Sequence, residues 1–309
     1  MKRQVPYVNE AVADRDFKYY IFDWDDNILH MPTKIRMEHL GEDGAWHPVE
    51  MSTATFALVR ADVAHYRPPS DGGWAAAFAD FEDRPGRSTF IEDTVSAMER
   101  VEHGARPGPS YNALKKTLRE GRLFAIVTAR GHSPATIEKA VRIFIRYALT
   151  EDERTEMMGN LRGYRRWIDG VEKFGSDAEE LDYYLGMCRY SAVTNALFKE
   201  RMASDPIYRE KLATATIAAR PELAKEFAIR DFVEHVFHML RRAGRLDRSV
   251  SIGFSDDDPG NVKAVSSYIR SELSKRFEGI KFVVYDTSDR TLSKGRKVCV
   301  SGQLNLPGF

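Results

Sequence analysis

The sequence predicts an α/β fold built on a doubly wound, mainly parallel sheet, and three observations predict it. Short Ile-, Val- and Phe-rich runs recur along the chain, each is followed by a polar turn, and helical patterns lie between them. The runs are YYIFDW (19–24), RLFAIVTA (122–129), SVSIGFS (249–255) and IKFVVYDT (280–287). Apolar runs of this length fit strands covered on both faces.

The intervening helices carry their own start and stop signals. PSYNALKKTLREG (109–121) opens on Pro-Ser and closes on Gly121. SPATIEKAVRIFIRYAL (133–149) offers Ser133 as N-cap and Pro134 at the first helical position. RDFVEHVFHMLRRAG (230–244) is apolar at three-and-four spacing and stops at Gly244.

Two long segments interrupt this pattern. The core is expected over 1–30, 109–149 and 229–309, with an α+β insertion at 31–108 and a mainly helical insertion at 150–228. The first holds candidate strands TKIRMEHL and HPVEMSTATF and leaves through the Pro/Gly-rich ARPGPS. In the second, LDYYLGMCRYSAVT holds a candidate strand.

Lys+Arg and Asp+Glu each number 46, so the formal net charge is zero. That zero is a cancellation: the core segments carry net +8 and the two insertions net −8. A basic core suits an anionic substrate, and acidic insertions disfavour a long nucleic-acid track. The two cysteines, Cys188 and Cys299, exclude a disulfide framework and fit a reducing cytoplasm. The N-terminal stretch lacks an apolar leader segment, and the longest uncharged run, of 12 residues, is too short to span a membrane. A cytoplasmic protein without a membrane partner is therefore expected.

Chemistry is expected at the strand ends. The first strand leads into Asp23, Asp25 and Asp26, and the third into Asp256, Asp257 and Asp258. Ligands of parallel α/β sheets bind at the carboxyl ends of strands, so both acid runs can converge there. Converging carboxylates repel unless a hard cation, chiefly Mg²⁺, intervenes. The second strand ends in Thr128-Ala129-Arg130-Gly131, where a hydroxyl and small residues can offer donors to a phosphate oxygen.

IFDWDDNIL, AIVTARG and SIGFSDDDPGNV, in this order, resemble the first, second and fourth motifs of the haloacid dehalogenase (HAD) superfamily of phosphohydrolases. The resemblance covers roughly 15–30, 109–149 and 229–290 but neither insertion. It implies that Asp23 is the nucleophile forming an aspartyl-phosphate, and that Asp25 is general acid and then general base. It implies that Thr128 and the backbone at Ala129 hold the phosphoryl group. Asp23, Asp25, Asp256 and Asp257 would surround Mg²⁺, with Asp257 the chief ligand of the later pair and Asn261 in support. For the third motif, a cation at a helix start, Arg230 stands 26 residues before Asp256, with Lys225 as competitor. Asp26 and Asn27 depart from the family, which often has Gly and then Thr or Val there. Insertions at these places form caps in that family, which implies a small phosphorylated substrate.

Other features point elsewhere less strongly. His235 and His238 lie three apart with no third metal ligand near in sequence, and RGYRRW (162–167) is one isolated basic-aromatic cluster. RRAGRLDR (241–248) fits the basic end of a helix, and no Walker or GxGxxG loop occurs. The expected function is a Mg²⁺-dependent phosphatase acting on a small phosphate monoester. A polynucleotide-end phosphatase, a phosphomutase and a non-catalytic metal- or phosphate-binding protein are the alternatives.

Overall fold

The computed structural model describes residues 6–84, 86, 88–215, 220–245, 248–289, 291–292 and 294–302. The first five residues of the N-terminal stretch, Leu246 and Asp247 of the basic run, and the end of the C-terminal uncharged run lie outside the described residues. The strands are β1 (Phe17–Phe22), β2 (Ile35–Leu40), β3 (Trp46–Met51), β4 (Tyr66–Arg67), β5 (Phe124–Thr128), β6 (Arg189–Ala192), β7 (Val250–Asp256), β8 (Ile280–Asp286) and β9 (Arg296–Ser301). Six of them form one sheet in the order β6-β5-β1-β7-β8-β9. All its pairings are parallel except β8 with β9. The protein is thus α/β with a mainly parallel central sheet.

Burial explains the apolar runs. Every residue of β5 is buried, and in β1 only Lys18 is fully exposed. A central parallel strand has no solvent face, so polar alternation disappears. Because β5, β1 and β7 are adjacent and parallel, their carboxyl ends lie side by side. The polar residues at these ends, Thr128 and Asp256 closing their strands and Asp23 following β1, are brought together by this topology alone.

The helices follow their local signals. Ser133 caps Pro134–Ala148 by accepting from the Thr136 amide at 3.2 Å, and that helix buries Ile137, Ala140, Val141 and Phe144 along one stripe. Thr150 and Ser176 each close a capping box, with Glu153 and Glu179 as the reciprocal partners.

Three elements differ from the sequence reading. HPVEMSTATF is not one strand: β3 ends at Met51, and Ser52 caps a helix, Thr53–Val59, through the Thr55 amide. The segment 150–228 does not stand apart from the sheet, since its candidate strand is β6, paired with β5 from Ala125↔Arg189 to Thr128↔Ala192. The helix expected from Arg230 runs Arg220–Arg242, which puts Arg230 in its middle.

The segment 31–108 carries its own antiparallel sheet, β3-β2-β4, over a small core of Ile35, Met37, Met51, Ala77 and Phe81. Its exit packs on the turn after β1. Gly108 donates its amide to the Ile28 carbonyl, and a Cβ there would meet the Asn27 carbonyl oxygen at 2.4 Å. Only glycine permits that approach. Among the described residues no helix is long and apolar enough to cross a membrane.

Candidate active site

The turn after β1 is held by its own side chains. Asp26 has φ 54°, in the left-handed region that favours glycine but that Asp tolerates. Its carboxylate is held by His30 Nδ1 and Thr53 Oγ1, both at 2.7 Å. Asn27 is fully buried, and its amide donates to the Asp23 carbonyl at 2.9 Å and to the Ser255 carbonyl and hydroxyl at 3.2 and 3.1 Å. Its carbonyl accepts from Thr287 Oγ1 at 2.9 Å. Asn27 therefore ties the end of β1 to the ends of β7 and β8.

Four acids stand on this scaffold. Lys225 Nζ lies 2.6 Å from Asp256 Oδ2 and 3.3 Å from Asp23 Oδ1, and all three residues are buried. Asp256 Oδ1 also accepts from Asn261 Nδ2 at 3.1 Å and from the Asp258 amide at 2.9 Å. No described residue donates a hydrogen bond to the Asp257 carboxylate. Burial first, then repulsion from Asp23 and Asp256, holds its carboxyl well above the ordinary range. Asp23 is pushed the same way by burial and by Asp256 and Asp25, against the pull of Lys225. Burial opposes the charge on Lys225, but Asp256 and Asp23 outweigh it and raise its pKa.

Asp25 is partnered differently. Both its oxygens accept from Arg130, at 2.8 Å from Nε and 2.6 Å from Nη2. Arg130 is 1% exposed, and its guanidinium sits 4.5 Å from the Phe81 ring centre and 4.8 Å from that of Phe90. Nη2 also donates to Thr33 Oγ1 at 2.8 Å. The pair thus joins the ends of β1 and β5 to the 31–108 segment. Thr128 Oγ1 lies 3.5 Å from Asp25 Oδ2 and accepts from the Arg130 amide. Ala129 is exposed at the end of β5, its carbonyl accepting from Thr194 Oγ1.

The expected third-motif cation is corrected in its position. Arg230 pairs with Asp205 and Glu234 and lies over the Tyr208 ring, with none of the strand-end acids among its partners. Lys225, five residues earlier on the same helix, occupies the place among the acids. Arg230 is not a helix start because the apolar spacing continues upstream of it through Ala224, Phe227 and Ala228, all buried.

Arg130, Thr33, Phe81 and Phe90 were not foreseen as part of the site. Arg130 is visible in VTARGH, but nothing local tells a buried guanidinium from a surface one. His132, fully buried, bonds Asp83 at 3.1 Å and stacks on Phe90, extending the same network.

Among the described residues no group of three or more His, Cys, Asp or Glu side chains is already arranged as a metal cage. The donor set nevertheless suits a hard cation. Asp23 and Asp256 share one lysine, and the neighbouring Asp257 is left without a donor. No protein-family model, curated protein or solved structure matches this chain.

Proposed function

We propose that the protein is a HAD-like, Mg²⁺-dependent phosphohydrolase that cleaves a small phosphate monoester through an aspartyl-phosphate. The observation that carries this reading is the surplus of buried acids around Lys225 at the joined ends of β1 and β7. Such a surplus is costly in a purely structural network, and phosphoryl transfer next to a divalent cation uses it.

Asp23, Asp256 and Asp257 would hold the cation, which when bound would offset the charge of the acids and of the phosphoryl oxygens. Asp23 Oδ attacks phosphorus, and the bond from phosphorus to the substrate oxygen breaks. Asp25 gives a proton to that departing oxygen, then takes one from the water that attacks phosphorus and frees Asp23. Arg130 holds Asp25 until substrate enters, so one of its two bonds to the carboxylate opens during turnover. Lys225 balances charge beside the nucleophile, and the Thr128 hydroxyl at the end of β5 receives a phosphoryl oxygen. The 31–108 segment, tied to the site through Thr33, Thr53 and Phe81, is the wall that shields the reaction from water.

A non-catalytic reading has one observation in its favour: Lys225 and Arg130 already pair three of the four acids. Phosphate release from p-nitrophenyl phosphate and a panel of sugar, nucleotide and organic phosphates, with and without Mg²⁺, separates the two. The proposal expects Mg²⁺-dependent release that Asp23→Asn abolishes. Equal inactivity of wild type and variant across the panel favours the non-catalytic protein, and equal activity removes Asp23 as nucleophile.

A further inference from the structure

At the other end of the sheet, a cavity of about 370 Å³ opens between the start of β1 and three helices. Phe17 and Tyr19 come from β1, Leu161 and Tyr164 from Glu151–Asp169, Tyr184 from Asp177–Met187, and Met239 from Arg220–Arg242. Tyr19 and Asp23 are four residues apart along β1 and its exit, roughly 13 Å at strand rise, so this cavity is separate from the acids. Its size falls at the lower end of the range of small-molecule sites, about 300–1,000 Å³.

The lining is mostly aromatic and aliphatic but holds polar groups with nothing to bind. Tyr19 is 7% exposed, and neither its hydroxyl nor that of Tyr164 has a hydrogen-bond partner among the described residues. Burial first, and then Tyr164, holds the Tyr19 phenol well above its ordinary pKa, so it stays a donor. Arg165 is engaged within the wall: its guanidinium pairs with Glu180 and Asp169 and lies 4.2 Å from the Tyr183 ring centre. Of the cations around the cavity, Lys18 pairs with Asp16, Arg122 with Glu120 and Arg165 with Glu180 and Asp169, while Arg242 has no ion pair among the described residues. Two phenol hydroxyls without a protein acceptor on one apolar wall suit a ligand that supplies one.

We infer that this cavity is a binding site for a planar aromatic molecule carrying an anionic head. The rings stack against Tyr19, Tyr164 and Phe17, and the head accepts from the two phenols beside Arg242. This site does not depend on the phosphohydrolase reading.

Anilinonaphthalenesulfonate has the required shape and charge, and phenylnaphthylamine is the same ring system without the sulfonate. Fluorescence titration of the native chain is expected to saturate at one sulfonate probe per chain, with the uncharged probe bound more weakly. The Tyr19→Phe/Tyr164→Phe double variant is expected to weaken the sulfonate probe about tenfold or more. Met239→Trp, which fills the cavity, is expected to abolish binding; if circular dichroism shows it unfolded, the double variant decides alone. Binding that fails to saturate, or that neither folded variant alters, overturns the site. Equal affinity for the two probes overturns the anionic head.

Discussion

Replacing Lys225 with methionine keeps the shape of the side chain and removes the cation shared by Asp23 and Asp256. At an effective dielectric constant of about 20, the contacts at 3.3 and 2.6 Å correspond to roughly 5 and 6 kcal/mol of attraction. Several kcal/mol of ammonium desolvation are relieved in the variant, which leaves a net loss of about 3–5 kcal/mol, as expected when one partner of a buried pair is deleted. For a chain of 309 residues, with an unfolding entropy of about 2.1 cal/mol/K per residue, that loss lowers Tm by about 5–8 °C. The pH dependence has a definite sign. Asp23 and Asp257 have folded-state pKa values raised above the unfolded ones, so their contribution to stability is full at low pH and is lost as pH rises through the folded values. Lys225, with its pKa raised, stays charged throughout this range. The penalty of Lys225→Met is therefore larger at pH 8 than at pH 5, and added Mg²⁺ reduces it at pH 8. Scanning calorimetry of both proteins at the two pH values, in chelator and in Mg²⁺, measures all of this. A Tm loss below about 1 °C at pH 8, or a loss that grows toward pH 5, would refute the reasoning.

Asn27→Ala removes four hydrogen bonds at a fully buried position and leaves the Thr287 hydroxyl without its acceptor, so denaturant unfolding should show a loss of about 2–4 kcal/mol. Gly108→Ala forces a methyl group into the Asn27 carbonyl; the expected cost is about 1–3 kcal/mol by the same assay, and a neutral result contradicts the close approach. Arg130→Lys retains the charge but cannot span both Asp25 oxygens, so kcat should fall at least tenfold with a shifted pH–rate profile while the fold persists; an unchanged profile removes Arg130 as a positioning residue.

What could be read in the sequence was whatever local pattern or strand order determines. β1, β5, β7 and β8 were visible because central parallel strands admit no polar alternation, and Asp23, Thr128 and Asp256 gathered because their strands are neighbours. Ser133 announced its helix through a cap that depends on three residues. The misplaced features depend on distant partners. β6 is only Arg189–Ala192, and it is a strand because β5 offers an unpaired edge. Arg230 and Lys225 sit on one helix, and which of them meets the acids depends on how that helix is rotated against the sheet. Arg130 lies one residue beyond the predicted strand end, yet its burial requires Phe81 and Phe90 from a segment about 40–50 residues away in sequence.

The central claim is that Asp23 carries the phosphoryl group in covalent form. Rapid quenching of the protein during exposure to p-nitrophenyl phosphate and Mg²⁺, followed by borohydride, reduces an acyl-phosphate to an alcohol. Peptide mass spectrometry should then find homoserine at position 23 and nowhere else, in amounts that fall to background when substrate is omitted. Phosphate release without that conversion, or conversion at another acid, contradicts the account.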